Sequence, residues 1–187
     1  MDAVFREGPR VQLCLSNTGS AGWGLWDVKG GFQNVWAHGV LERIDKSEYG
    51  KRWKGWVRNF FRETEFSMEW DGVIKGRGRI NVGVPQGSPI SPVIFLMFMA
   101  PILEEMEAKL TADLKTNIEI PSYVDDILVC ILDKDKKGDM KAKLDQANMI
   151  VYQIAAKWTL PLEKDKHETI VFNSGGTDSG KERKEQR

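Results

Sequence analysis

Two cysteines in 187 residues, Cys14 and Cys130, are too few and too far apart for a disulfide framework. That excludes the small secreted scaffolds and fits a reducing compartment. Excess charge of one sign is also missing. Lys plus Arg and Asp plus Glu stand at 27 each, so the chain as a whole is no polycationic nucleic-acid binder, and any basic surface has to be local. Long apolar runs are absent as well. The longest, VIFLMFMAPIL at 93–103, falls short of the roughly 20 residues needed to span a bilayer, and the charged, Pro-containing opening does not read as a secretory signal. No repeat is present. With 41% apolar residues, the expectation is a soluble globular chain with one substantial core.

Periodicity then places the elements. Residues 1–21 show little pattern and end in a Ser/Asn/Thr/Gly cluster, so they read as a lead-in segment closed by a loop. GWGLWDV at 22–28 reads as a buried strand that stops at KGG, with Asp27 near its end. Between Asn34 and Arg62 the apolar residues suit two helices broken near Gly50. FSMEW alternates, and Asp71-Gly72 is a hairpin turn into VIKGRGRINV. GVPQGSPISP at 83–92 is a loop. Ser91 then caps a helix with Pro92 at its first position, and Pro101 inside it is expected to kink it or to interrupt one bond. A hairpin over about 118–133, a helix from about Met140 to Trp158 and a strand at 168–172 complete the order. Residues 174–187 form a polar tail expected to be disordered. The whole predicts an α+β fold, a mainly antiparallel sheet covered by helices on one face.

The hairpin raises a chemical question. IPSYVDDILVCI sets Asp125 and Asp126 side by side at the tip of two apolar strands. Adjacent carboxylates repel and lose hydration when partly buried, so a divalent cation is the usual compensation. If the strand ending at Asp27 is a neighbour, three carboxylates meet at one edge. Such an oxygen set suits Mg²⁺ or Mn²⁺, and two ions are the known device for in-line phosphoryl transfer. A solvated turn is the alternative.

These residues carry a family resemblance. YVDD at 123–126 resembles the catalytic signature of reverse transcriptases. LWDVKGGF at 25–32 is similar to the motif with the first metal-binding aspartate. GVPQGSPISPVIFLMFM at 83–99 resembles the nucleotide- and template-positioning motif of non-LTR (LINE-like) retrotransposon polymerases, and LPLEKDKHETIVF at 160–172 the motif that follows. The motifs occur in the family's order and cover about residues 22–173, a polymerase palm-like domain. The resemblance implies RNA-directed DNA polymerase activity by two-metal nucleotidyl transfer, with deoxynucleoside triphosphates, an RNA template and a DNA primer as partners. Asp27, Asp125 and Asp126 match the metal-binding and catalytic acids, and Lys166 matches a lysine that helps the leaving pyrophosphate, with a solvated surface charge as the alternative. Phe32 matches the aromatic that blocks a ribose 2′-hydroxyl, with an ordinary core phenylalanine as the alternative. The turn Val28, Lys29, Gly30 and Gly31 would offer amides to the triphosphate, while Pro85, Gln86 and Gly87 would lie against nucleotide and template.

Basic residues add a track that the motifs do not. Lys54, Arg58 and Arg62 recur every four residues on one helix, and Lys75, Arg77 and Arg79 alternate along one strand, so both sets are candidates for nucleic-acid backbone contact. A solubilising surface is the alternative. Gln33 and His167 stand where relatives commonly have Asp and Thr. The fingers region before the first motif and the thumb after the last are not recognisable, so the expected object is a palm core of a larger polymerase. A catalytically inactive remnant kept as a nucleic-acid-binding or interaction module is the second reading. A small αβ domain with a structural Asp pair is the third. The expected compartment is intracellular, the nucleus included, with no membrane partner.

Overall fold

The computed structural model describes residues 9, 11–13, 16, 19–62, 65–79, 82–134 and 139–172. The chain runs through β1 (Ser20–Asp27), a 3-10 turn (Gly31–Asn34), helices α1 (Ala37–Lys46) and α2 (Lys51–Arg62), and a hairpin of β2 (Glu65–Trp70) and β3 (Val73–Arg79). Helix α3 (Ser91–Leu114), strands β4 (Asn117–Glu119), β5 (Ser122–Tyr123) and β6 (Asp126–Asp133), helix α4 (Met140–Lys157), a second 3-10 turn (Lys164–Lys166) and β7 (Glu168–Phe172) follow. The main sheet has the order β4-β6-β1-β7, with β5 also on β6, and every pairing is antiparallel. Leaving the split first hairpin strand aside, this is the arrangement of two interleaved β-α-β units.

Side-chain alternation divides the two faces. Ile127, Val129 and Ile131 point into the large core with Phe95, Phe98 and Ile102 of α3 and Leu144, Val151 and Ile154 of α4. Leu128 and Cys130 point the other way and join Ala21 and Trp23 in a smaller cluster. Val11 is buried in that second cluster, and Pro9, Val11 to Leu13 and Ser16 are helical. The lead-in segment therefore covers part of the sheet's second face, which its weak periodicity did not announce. Residues 173–187, and with them the expected tail, lie outside the described residues.

Other boundaries follow local chemistry. The break between α1 and α2 falls where expected: Lys54 Nζ donates to the Asp45 and Ser47 carbonyls at 3.0 and 2.6 Å, satisfying the open end of α1. Asp71 and Gly72 both have positive φ, 53° and 74°, the backbone of a tight primed hairpin turn. Helix α3 begins one residue earlier than its sequence suggests. Ser91 is already helical, and its hydroxyl donates to the Pro85 carbonyl at 2.7 Å instead of capping the helix. Pro101 does not end the helix. Buried residues on both sides of it, Phe95 and Phe98 before, Ile102 and Met106 after, hold the two halves on one core. The β2–β3 hairpin stands off the main sheet, with Met68 and Trp70 59% and 74% exposed. Among the described residues no helix is long and apolar enough to cross a membrane.

Candidate active site

Strand register brings the acids together. β1 and β6 pair from Ser20 opposite Asp133 to Asp27 opposite Asp126. Directly opposed residues have Cβ atoms about 4.5–5.5 Å apart and share a sheet face. By alternation that face is the one turned away from α3 and α4. Asp125 lies in the two-residue turn between β5 and β6, since Tyr123 pairs with Asp126. The turn is strained: Val124, a β-branched residue, has φ of 56°. The Val28 amide donates to the Asp125 carbonyl at 2.9 Å, which ties the end of β1 to the turn.

The acidic edge is electrostatically crowded. Lost hydration first, then the negative charges of Asp125 and Asp27, push the Asp126 carboxyl above its usual range, while Lys166 pulls the other way. Lys166 hydrogen-bonds and ion-pairs with the Asp27 carboxylate, which in turn raises the lysine's own pKa. Asp27 is thus turned to the ammonium. Among the described residues no three acidic, histidine or cysteine side chains are gathered as ligands around one point. The three carboxylates line one edge as an open set. Their chemistry, three hard-oxygen carboxylates facing the single ammonium of Lys166, fits a hard divalent cation.

Glycines bring the next segment close. A Cβ on Gly31 would sit 2.9 Å from two atoms of the Phe95 ring and 3.6 Å from the Asp125 Cβ. Only a bare backbone passes there. Gly83 has φ of 85°, and a Cβ on it would meet the Gln33 carbonyl oxygen at 2.6 Å. That approach lets the Gly83 and Val84 amides donate to the Val35 and Phe32 carbonyls at 2.9 and 2.8 Å. The loop carrying Pro85, Gln86 and Gly87 is therefore docked on the turn carrying Phe32. Gln86 and Gly87 are exposed and Pro85 is half-buried. Phe32 is half-buried against the core, its ring 5.2 Å from that of Phe95.

Some candidates are already engaged. The Lys29 amide donates to the Pro161 carbonyl, and the Glu163 amide to the Asp27 carbonyl, both at 2.9 Å. Val28 and Lys29 therefore spend their amides inside the chain, and of the expected turn Gly30 and Gly31 remain as candidates, with Phe32 next to them. On α2, Lys54 closes α1 and Arg58 pairs with Asp45. Of the expected helical track, Arg62 alone faces outward without one of these α1 partners. On β3, Lys75 is exposed and sits at a bulge, while register sets Arg77 opposite Ser67 and Arg79 opposite Glu65. The register sets Phe66 and Met68 opposite Gly78 and Gly76 and shifts between Met68 and Glu69. Sequence reasoning missed the support behind Lys166. His167 stacks on Trp26 with ring centroids 4.9 Å apart, and Trp26 Nε1 donates to Asn148 Oδ1 at 3.0 Å. Nothing in the spacing of Trp26, Asn148 and His167 signals that contact.

Known proteins share both pattern and shape. An RNA-directed DNA polymerase from the mobile element jockey of Drosophila funebris is 26% identical over 159 residues, covering 82% of this chain and 16% of that protein. Apo telomerase from Candida tropicalis, truncated from its C-terminal domain, superposes with a TM-score of 0.64 at 14% identity, covering 92% of this chain and 36% of that one. Telomerase from Candida albicans in complex with a fragment of telomeric RNA gives 0.63 at 16% identity, covering 95% and 31%. This chain thus spans only a minor part of each relative's length, and the telomerase likeness speaks to fold alone. The sequence matches the reverse transcriptase (RNA-dependent DNA polymerase) family over residues 5–185. With its acids, turn and docked loop in that family's order on that family's fold, the chain belongs to the reverse transcriptases.

Proposed function

We propose that this chain is the palm of an RNA-directed DNA polymerase and carries its nucleotidyl-transfer site. The observation that carries the reading is the register of Asp27 against Asp126, with Asp125 in the adjoining strained turn. Reverse transcriptases use divalent metals. Here Asp27, Asp125 and Asp126 would hold two Mg²⁺ or Mn²⁺ ions, which supply charge stabilisation to the attacking and leaving oxygens. Lys166 keeps its proton at Nζ beside Asp27 and exchanges that partner for the leaving pyrophosphate. Gly30, Gly31 and Phe32 offer amides to the triphosphate. The Phe32 ring, braced by Phe95, underlies the sugar and leaves no room for a 2′-hydroxyl, so deoxynucleoside triphosphates are the substrates. Pro85, Gln86 and Gly87 lie against nucleotide and template, with Gln86 able to donate and accept. Lys75, Arg77, Arg79 and Arg62 contact the backbone of an RNA template or DNA primer.

Primer extension on an RNA template by a polymerase carrying this palm tests the assignment. Asp27→Asn and Asp125→Asn should each abolish extension while leaving the fold intact. Extension that survives both substitutions would overturn it. The Asp27–Lys166 pair and the open ligand set favour a second reading, a palm retained for binding without catalysis. Calorimetry with Mn²⁺ separates the two: binding that is lost in Asp125→Asn supports the enzyme, and no binding to wild type supports the remnant.

A further inference from the structure

The helix α2, KRWKGWVRNFFR, carries five basic residues and no acidic one in a chain whose charges balance as a whole. Val57 is fully buried, and Trp53, Phe60 and Phe61 pack on the core from either side of it. At 100° per residue the outward arc is then Arg58, Lys51, Arg62, Gly55, Asn59, Arg52 and Trp56. Lys54 and Arg58 are held by α1, which leaves Lys51, Arg52 and Arg62 as the outward charges.

An indole sits at the edge of this arc. Trp56 is 44% exposed, although it stacks on Trp53 at 5.3 Å and 9° and on Phe60 at 5.5 Å and 27°. These separations exceed full overlap, so each ring covers only part of the next. Trp56 lies between the two rings and is held in place by both, and only the part of its faces that neither neighbour covers is open. A ring fixed in advance loses little side-chain freedom when a ligand stacks on it. Arg52 lies one turn before Trp56 on the same side, within reach of a phosphate next to a base on the indole. On the far side of the arc, a hollow of about 490 Å³ opens beside Leu41, Gly55, Asn59 and Arg62.

We propose that the outward face of α2 is a subsite for unpaired nucleic acid, with Trp56 stacking a base and Lys51, Arg52 and Arg62 holding the adjoining phosphates. The inference rests on the nucleic-acid polymerase reading and names a place in it that the aligned motifs do not include. Charge complementarity favours a polyanion over an apolar partner. A stacking ring favours single strands over duplex, because a base face is open only when unpaired, and such contact tolerates any sequence.

The test is fluorescence anisotropy of the full chain with a labelled 12-nucleotide oligo(U) RNA and a 12-base-pair RNA duplex, each titrated with salt. Trp56→Ala should weaken oligo(U) binding about tenfold, the scale of one lost base–aromatic stack, and leave duplex binding unchanged. Trp56→Phe should retain most of the affinity, which separates lost stacking from lost folding. Joint Arg52→Gln and Arg62→Gln should weaken both ligands and flatten the salt slope. Oligo(U) binding equal to wild type in a folded Trp56→Ala variant would overturn the proposal. So would sedimentation showing that Trp56→Ala abolishes self-association alone, since the ladder would then face a second copy of the chain. Mn²⁺ binding, measured on the same samples, keeps the two readings apart. Its absence counts against the polymerase site, whereas unchanged oligo(U) binding in Trp56→Ala counts against the subsite only.

Discussion

Gly31→Ala isolates the close packing that holds the nucleotide turn against the acidic edge. The new methyl would lie 2.9 Å from Phe95 Cε2 and Cζ, inside the distance that real contacts tolerate. Phe95 is fully buried and has nowhere to go. Overpacking of this kind costs about 1–3 kcal/mol, and the stiffer unfolded chain returns about 0.4–1 kcal/mol, so from the middle of each range the net loss should be about 1–2 kcal/mol. At about 2–4 °C per kcal/mol for a chain of this size, the melting midpoint should fall by about 2–8 °C. Gly55→Ala is the matched control. Nothing lies within 4 Å of a Cβ there and the site is helical, so the same substitution should stabilise by up to about 1 kcal/mol. Thermal melts and urea titrations of both variants, with Gly31→Ala/Phe95→Leu to restore room, check the sign and the cause. Equal effects of the two glycine substitutions, or no recovery in the double variant, would refute the packing argument.

Three further outcomes are expected. Asp126→Asn should raise the metal-free melting midpoint at pH 7 by about 1–2 °C, since it relieves the carboxylate crowding at an exposed position, and should remove any Mn²⁺-dependent rise; a lower midpoint would contradict the crowding. His167 has its pKa lowered by burial, so the unfolded chain takes up more protons. Its stabilising contribution is complete above the unfolded pKa of about 6.5 and is lost as pH falls toward the folded value, so His167→Gln should flatten the decline of the urea midpoint as pH falls below about 6.5. Phe32→Val, in a polymerase carrying this palm, should admit ribonucleotides with little loss of deoxynucleotide use; an unchanged sugar preference in a folded, active variant would return Phe32 to a purely packing role beside Phe95.

What the sequence determined by itself is what local rules govern. The short apolar runs in GWGLWDV and DILVC, the Asp71-Gly72 turn, the break at Gly50 and the apolar period of α4 each depend on residues a few positions apart, and each element appears as expected. The acidic tip was visible for the same reason, because two adjacent aspartates between apolar strands conflict with burial unless chemistry resolves them. Tertiary structure decided the contacts made across the chain. Asp27 meets Asp126 only because β1 and β6 pair in one register, and a shift of one residue would turn it to the opposite face. Lys54 and Arg58 share a face with Arg62, yet α1 takes the first two and leaves the third. Lys166 finds Asp27 across 139 residues, and the Trp26–His167 stack stands behind it. Helical or strand period fixes the direction of a side chain relative to its own backbone; its partner is set by how the layers close, and no pattern within one segment encodes that.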